Sequence, residues 1–189
     1  MSLSLSEYLA AATRRVRIRW HSAAPVPANL EHIVGEAPWL TVERVPPLEQ
    51  APTVSLHADE PHGGLEWYGA IEGKLLAPFV EALRALGTGV PELDTPATVT
   101  AIRQLNTRCC IEVFVAKACP YCPATSAAAL RLAVLSSHVA VRVRRADLER
   151  APVLVRGVPA VLSDGRLLSE GPIGEYDLAD RLVSYARGK

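Results

Sequence analysis

Two thiols separated by two residues, Cys119 and Cys122 in the run Cys119-Pro-Tyr-Cys-Pro123, are the pair in this sequence best spaced for chemistry. At a strand-to-helix turn such a pair can close a small disulfide ring, with the first thiol where helix-end amides stabilise a thiolate. Cys119 is then the nucleophile that attacks a substrate disulfide, and Cys122, one helical turn in, attacks the Cys119 sulfur to release reduced substrate. Pro120 stiffens the loop, and Pro123 sits early in a helix, where its missing N–H costs little. Tyr121 either contacts a ligand or fills the loop. The same spacing is also half of a zinc site, so the pair alone leaves both a redox role and a metal-ligand role open.

The other two cysteines, Cys109 and Cys110, lie at the start of a predicted strand that leads to this loop. A strand rises about 3.3 Å per residue, which sets them roughly 20–30 Å from Cys119, too far to share a disulfide or a metal. A structural role is expected for them. All four cysteines crowd into positions 109 to 122, so they cannot staple a secreted fold along its length, and clustered thiols in a reducing compartment suggest redox or metal chemistry.

Composition narrows the partners. Twenty basic residues balance twenty acidic ones, leaving no net field to draw in nucleic acid or an anionic membrane. The start, Met1-Ser-Leu-Ser-Leu-Ser-Glu-Tyr-Leu9, lacks the basic head and apolar core of an export signal, and no apolar run approaches the roughly 20 residues that span a bilayer. The expectation is a cytoplasmic protein without a membrane span.

The elements that must position the dithiol follow from period and punctuation. In the second half, Thr95 and Pro96 open a helix, Cys110 to Val115 reads as a strand, Ala124 to Leu135 as a helix and Val139 to Val143 as an alternating strand. Ala160–Leu162 and Arg166–Ser169 flank the hairpin signal Asp164-Gly165, and Ile173 to Arg187 closes the chain as a helix. In the first half, Ser6 to Thr13 reads as a helix, Val16 to Trp20 and Leu40 to Val45 as strands around a helix at Asn29 to Gly35. Thr53 to His57 and Leu65 to Ile71 read as a hairpin about Pro61-His-Gly-Gly64, and Leu75 to Leu86 has helical spacing. The two halves repeat one approximate pattern with little residue identity, and the Gly-, Pro- and Thr-rich stretch from 87 to 96 is the linker. The predicted units are 1–92, which has no cysteine, and 93–189, which holds the dithiol.

The runs Ile111-Glu-Val-Phe-Val-Ala-Lys-Ala-Cys-Pro-Tyr-Cys-Pro123, Arg156-Gly-Val-Pro-Ala160 and Tyr68-Gly-Ala-Ile-Glu-Gly73 resemble proteins with tandem thioredoxin folds. Two groups fit: the archaeal and bacterial protein disulfide oxidoreductases, and the N-terminal module of the flavoprotein subunit of alkyl hydroperoxide reductase. The resemblance implies an α/β protein of two tandem thioredoxin-like (glutaredoxin-like) folds, each a mixed β-sheet flanked by helices. It implies that Val158-Pro159 is a cis pair beside the dithiol, leaving the Val158 backbone free to hold a bound chain, so that Pro120, Tyr121, Val158 and Pro159 form the substrate-binding surface.

Departures from the pattern shape the function. The first unit has the loop His21-Ser-Ala-Ala-Pro25 where a dithiol would stand, which leaves it as a docking and stabilising platform. Lys74-Leu75 replaces a His-Glu pair, and Val113 fills the buried aspartate position of simple thioredoxins, leaving Glu72 or Glu112 as stand-in acids. No Gly-x-Gly-x-x-Gly fingerprint occurs, so no bound cofactor is expected beyond the redox-active disulfide. The resemblance supplies the electrons from an NAD(P)H-dependent flavoprotein disulfide reductase and passes them to a protein disulfide, such as one on a peroxiredoxin. Cys-Pro-Tyr-Cys is also the glutaredoxin loop, making glutathione an alternative reductant and a disulfide-forming direction another. A non-catalytic thiol- or metal-binding module is the alternative of a different class. His21 reads as an ordinary solvated histidine, and Trp20, Trp39 and Trp67 as packing.

Overall fold

The computed structural model describes residues 3–47, 51–149 and 151–188; Met1 and Ser2 of the N-terminal run lie outside them. One order of elements occurs twice. The first half runs α1 (Leu5–Leu9), β1 (Val16–Trp20), α2 (Ala28–Gly35), β2 (Leu40–Arg44), β3 (Val54–Ala58), β4 (Leu65–Tyr68) and, after a 3-10 turn at Gly73–Leu75, α3 (Leu76–Thr88). The second runs α4 (Ala97–Ile102), β5 (Cys109–Val115), α5 (Cys122–Leu135), β6 (Val139–Arg145), β7 (Ala160–Ser163), β8 (Arg166–Glu170) and α6 (Glu175–Arg187).

Local chemistry sets the ends of these elements. The first helix begins earlier than the sequence predicts because Ser4 and Glu7 close a reciprocal capping box. The predicted strand from Leu65 to Ile71 stops at Tyr68, where Gly69 turns the chain at φ 97°; a Cβ there would lie 2.9 Å from the Arg145 Cγ. The helix expected at Thr95 begins at Ala97, whose N–H donates to the Thr95 hydroxyl at 3.3 Å.

The resemblance implies a mixed sheet for each unit, and the two four-stranded sheets join edge to edge as one eight-stranded sheet in the order β2-β1-β3-β4-β6-β5-β7-β8. β4 pairs in parallel with β6, so the backbone groups each would leave open at an edge are satisfied by the other. Within each half the spatial order is the same, and β1, β4, β6 and β5 all run in one direction. Their C-terminal ends therefore meet along one end of the sheet.

One apolar core extends from Leu9 through both halves to Val183, and a smaller cluster of Phe114, Ala160 and Leu162 forms at alternate positions of β5 and β7. Val139, Val141 and Val143 point into it from alternate positions of β6, and α3 packs against α5 across the junction. The small side chains of Ala127, Ala128, Ala129 and Ala133 let α5 approach closely, and all four are buried. No helix among the described residues is long and apolar enough to cross a membrane.

Candidate active site

The dithiol lies where β5 hands over to α5. Val115 ends the strand, the Cys119 N–H turns back to the Ala116 carbonyl at 3.1 Å, and α5 begins at Cys122 with Pro123 in its first turn. Cys119 and Cys122 are joined in a disulfide with Cα atoms 5.5 Å apart. Cys119 is 8% exposed and Cys122 fully buried, so the first cysteine is the more accessible of the two. The Cys122 backbone N–H points at the Cys119 sulfur from 3.1 Å. An amide at the positive end of a helix, aimed at sulfur, stabilises negative charge there once the bond is reduced.

The remaining predicted site residues surround this pair. Val158-Pro159 is a cis peptide, and the Val158 carbonyl oxygen lies 3.7 Å from the Cys119 sulfur. Because β7 runs antiparallel to β5, its N-terminal end brings Pro159 to the same end of the sheet as the dithiol. The β5–β7 ladder starts at Ala160, so Val158 stands just outside it. Pro120 is exposed, and Tyr121 is 61% exposed, pointing away from the core and available to a partner.

Both proposed stand-in acids have cationic partners. Glu72 receives the Lys117 ammonium at 3.0 Å and Arg145 at 3.4 Å, and chiefly the Lys117 bond holds its carboxyl below the usual glutamate range. A glutamate kept ionised in this way does not serve as a proton donor at neutral pH. Glu112 pairs with the Arg144 guanidinium at 2.7 Å and alternates in β5 with Val113, which faces the core.

Sequence reasoning missed the support beneath the loop. Arg145 ends β6 with its side chain 4% exposed, and clasps Asp147 through two bonds of 2.7 and 2.9 Å. Its third bond reaches the Ala70 carbonyl at 3.0 Å, and Asp147 in turn accepts the Lys117 N–H at 3.2 Å. Arg145 holds the Asp147 carboxyl well below the ordinary aspartate value. The signal was present in the sequence: Val139, Val141, Val143 and Arg145 share one alternation, and an arginine in the inward register announces a buried charge.

Cys109 and Cys110 begin β5 at the end remote from the dithiol, and burial pushes the Cys110 thiol up. Trp20 and Trp67 are buried and Trp39 half-buried, with the Trp67 ring edge-on to Phe79 at 5.0 Å. His21 shares the Ser55 hydroxyl with His57, each at 2.9 Å, within the first half.

No protein-family profile matches this chain, and no curated protein does. Solved structures do. The NTD N/C domain of alkylhydroperoxide reductase AhpF from Enterococcus faecalis superposes with a TM-score of 0.80 at 22% identity, covering 94% of this chain and 95% of that one. A protein disulfide oxidoreductase from Aeropyrum pernix gives 0.73 at 21% identity over 98% of this chain and 91% of its own. Sso1120 from Sulfolobus solfataricus gives 0.64 at 19% identity over 88% and 97%.

The architecture is a tandem thioredoxin-like fold. Within it, the β5–α5 turn and the β1–α2 loop His21–Pro25 are equivalent positions, the first carrying the dithiol and the second no sulfur.

Proposed function

We propose that this protein is a thiol-disulfide oxidoreductase working through Cys119 and Cys122. The observation that carries the reading is one arrangement: the less buried Cys119 sulfur capped by the Cys122 amide, a fully buried Cys122, and the Val158 carbonyl alongside at 3.7 Å. The names of its structural neighbours, alkylhydroperoxide reductase and protein disulfide oxidoreductase, support it.

In the reduced protein the Cys119 thiolate attacks one sulfur of a substrate disulfide. The substrate S–S bond breaks, a Cys119–substrate disulfide forms, and the departing thiolate takes up a proton. Cys122 then loses its proton and attacks the Cys119 sulfur, releasing the second substrate thiolate, which is protonated. Two electrons and two protons pass to the substrate, leaving Cys119–Cys122 oxidised. The open Val158 backbone and the exposed Tyr121 ring border the bound chain. Reduction of the pair for the next cycle is assigned to an NAD(P)H-dependent flavoprotein, and the substrate to a protein disulfide such as that of a peroxiredoxin. Glutathione is the alternative reductant, on the strength of the Cys-Pro-Tyr-Cys loop.

Trapping tests the order of attack. With Cys122→Ser, the Cys119 thiolate still opens a disulfide substrate but nothing resolves the product, so a stable protein–substrate disulfide accumulates and is absent with Cys119→Ser. Accumulation at Cys122 instead, or full reductase activity in Cys119→Ser, refutes the assignment. Stoichiometric zinc in the reduced protein would favour a metal-binding module.

A further inference from the structure

A cavity of about 300 Å³ opens in the first half beside α2, lined by Trp20, Leu30, Ile71, Leu76 and Phe79, with Ala70 exposed at its mouth. It sits at the C-terminal ends of β1 and β4, the end of the sheet that also carries the dithiol. Its polar side chains already have partners within the chain. The Asn29 amide donates to the Ile71 carbonyl at 3.1 Å while its oxygen accepts the Leu30 N–H at 3.0 Å. The Trp20 indole N–H donates to the Ala24 carbonyl at 2.8 Å, and Glu72 is engaged by Lys117 and Arg145. A polar or charged guest would lose its hydration without gaining hydrogen bonds from these side chains, so the guest is apolar.

Glu72 links this cavity to the dithiol: it lines the cavity and grips Lys117, two residues before Cys119. Two residues span at most about 7 Å, and with the length of one lysine side chain the two sites lie within reach of roughly four to six extended residues. That proximity favours a guest delivered by the chain that reacts at Cys119 over a free small molecule. Building on the oxidoreductase reading, we infer that the cavity receives one large apolar side chain, aromatic or branched, carried on the disulfide-bearing partner a few residues from its reacting cysteine. The cysteine-free first unit thereby selects the substrate that the second unit reduces.

The probe is a set of synthetic peptides, each closed by one internal disulfide, with phenylalanine placed in turn two to six residues to either side of the reacting cysteine, against a peptide with serine at all those places. Each is mixed with the dithiothreitol-reduced, desalted full-length protein in a single turnover. At least one phenylalanine position should react about tenfold faster than the serine peptide, and Ala70→Trp, which plugs the mouth from an exposed site, should reduce that preference, taken as the ratio of the two peptides' rates with the same variant, to under twofold. Preference below twofold at every position, or a preference that survives Ala70→Trp, overturns the inference even if all peptides are reduced. Saturable binding of free indole, read by calorimetry, without peptide preference assigns the cavity to a small apolar molecule and also overturns it. Failure to reduce any peptide sinks the oxidoreductase reading itself.

Discussion

Arg145→Met keeps most of the volume of a buried side chain and removes its charge. The arginine spans the two halves, joining Asp147, Glu72 and the Ala70 carbonyl, and Asp147 holds the backbone two residues before Cys119. Breaking a buried ion pair from one side costs about 3–5 kcal/mol. Here the lost partners are themselves partly solvated, with Asp147 35% and Glu72 41% exposed, so water recovers part of that loss. A net destabilisation of about 2–3 kcal/mol follows, of which the methionine packing returns little because the site opens onto polar groups. For a chain of this size that lowers the melting temperature by roughly 4–12 °C. Urea titration measures the loss, and a double-mutant cycle with Asp147→Asn should show about 1–2 kcal/mol of coupling. A loss below about 0.5 kcal/mol, or additive behaviour in the cycle, would refute the claim that this arginine braces the loop.

Three further outcomes follow from the same structure. Glu175, 1% exposed, accepts from the Asp94 N–H at 2.7 Å, the Thr98 hydroxyl at 3.1 Å and Arg131 at 2.9 Å. Glu175→Leu strands the Asp94 N–H and the Thr98 hydroxyl, while Arg131 keeps Glu81 and Asp94, and should cost about 2–4 kcal/mol in urea unfolding, whereas Glu175→Gln should cost less by keeping an acceptor for these donors. The depressed Asp147 carboxyl stabilises the fold fully above the unfolded aspartate value, about 3.9, and this contribution is lost as pH falls through the lower folded value. The stability gap between the wild type and Asp147→Asn should therefore narrow as unfolding is measured from pH 5 down to pH 2. Iodoacetamide mapped by mass spectrometry should label Cys119 of the reduced protein at least tenfold faster than Cys110, whose thiol burial pushes up.

Hydrophobic period and turn chemistry made the order of elements readable, because each element carries its own local signal. Leu40 to Arg44, Leu76 to Thr88 and Glu175 to Arg187 all fall within a few residues of their sequence bounds, and the Asp164-Gly165 hairpin is where the pair predicts it. The junction between halves was not readable. Pairing of Leu65–Tyr68 with Val141–Arg144 joins chain segments more than seventy residues apart, and nothing in either strand's alternation specifies which edge it meets. The dithiol could be found because its chemistry needs adjacent residues. Its brace could not be assembled in the same way: Ala70 and Glu72, Lys117, and Arg145 with Asp147 come from the segment after β4, the loop after β5 and the end of β6, which only the merged sheet brings together. The cavity beside α2 was not readable either, since Trp20, Leu30, Ile71, Leu76 and Phe79 read as ordinary core residues and come from separate elements of the first half.

The most direct test of the central claim is the reduction potential of the Cys119–Cys122 pair, read by equilibrating the protein against defined thiol buffers, alkylating and weighing it. A reversible two-electron transition near about −270 mV is the predicted result for a reductase fed by a flavoprotein. A value of about −120 to −180 mV would contradict that direction of electron flow and make the protein an oxidase or isomerase, and failure to form the disulfide at any poise would contradict the redox account as a whole.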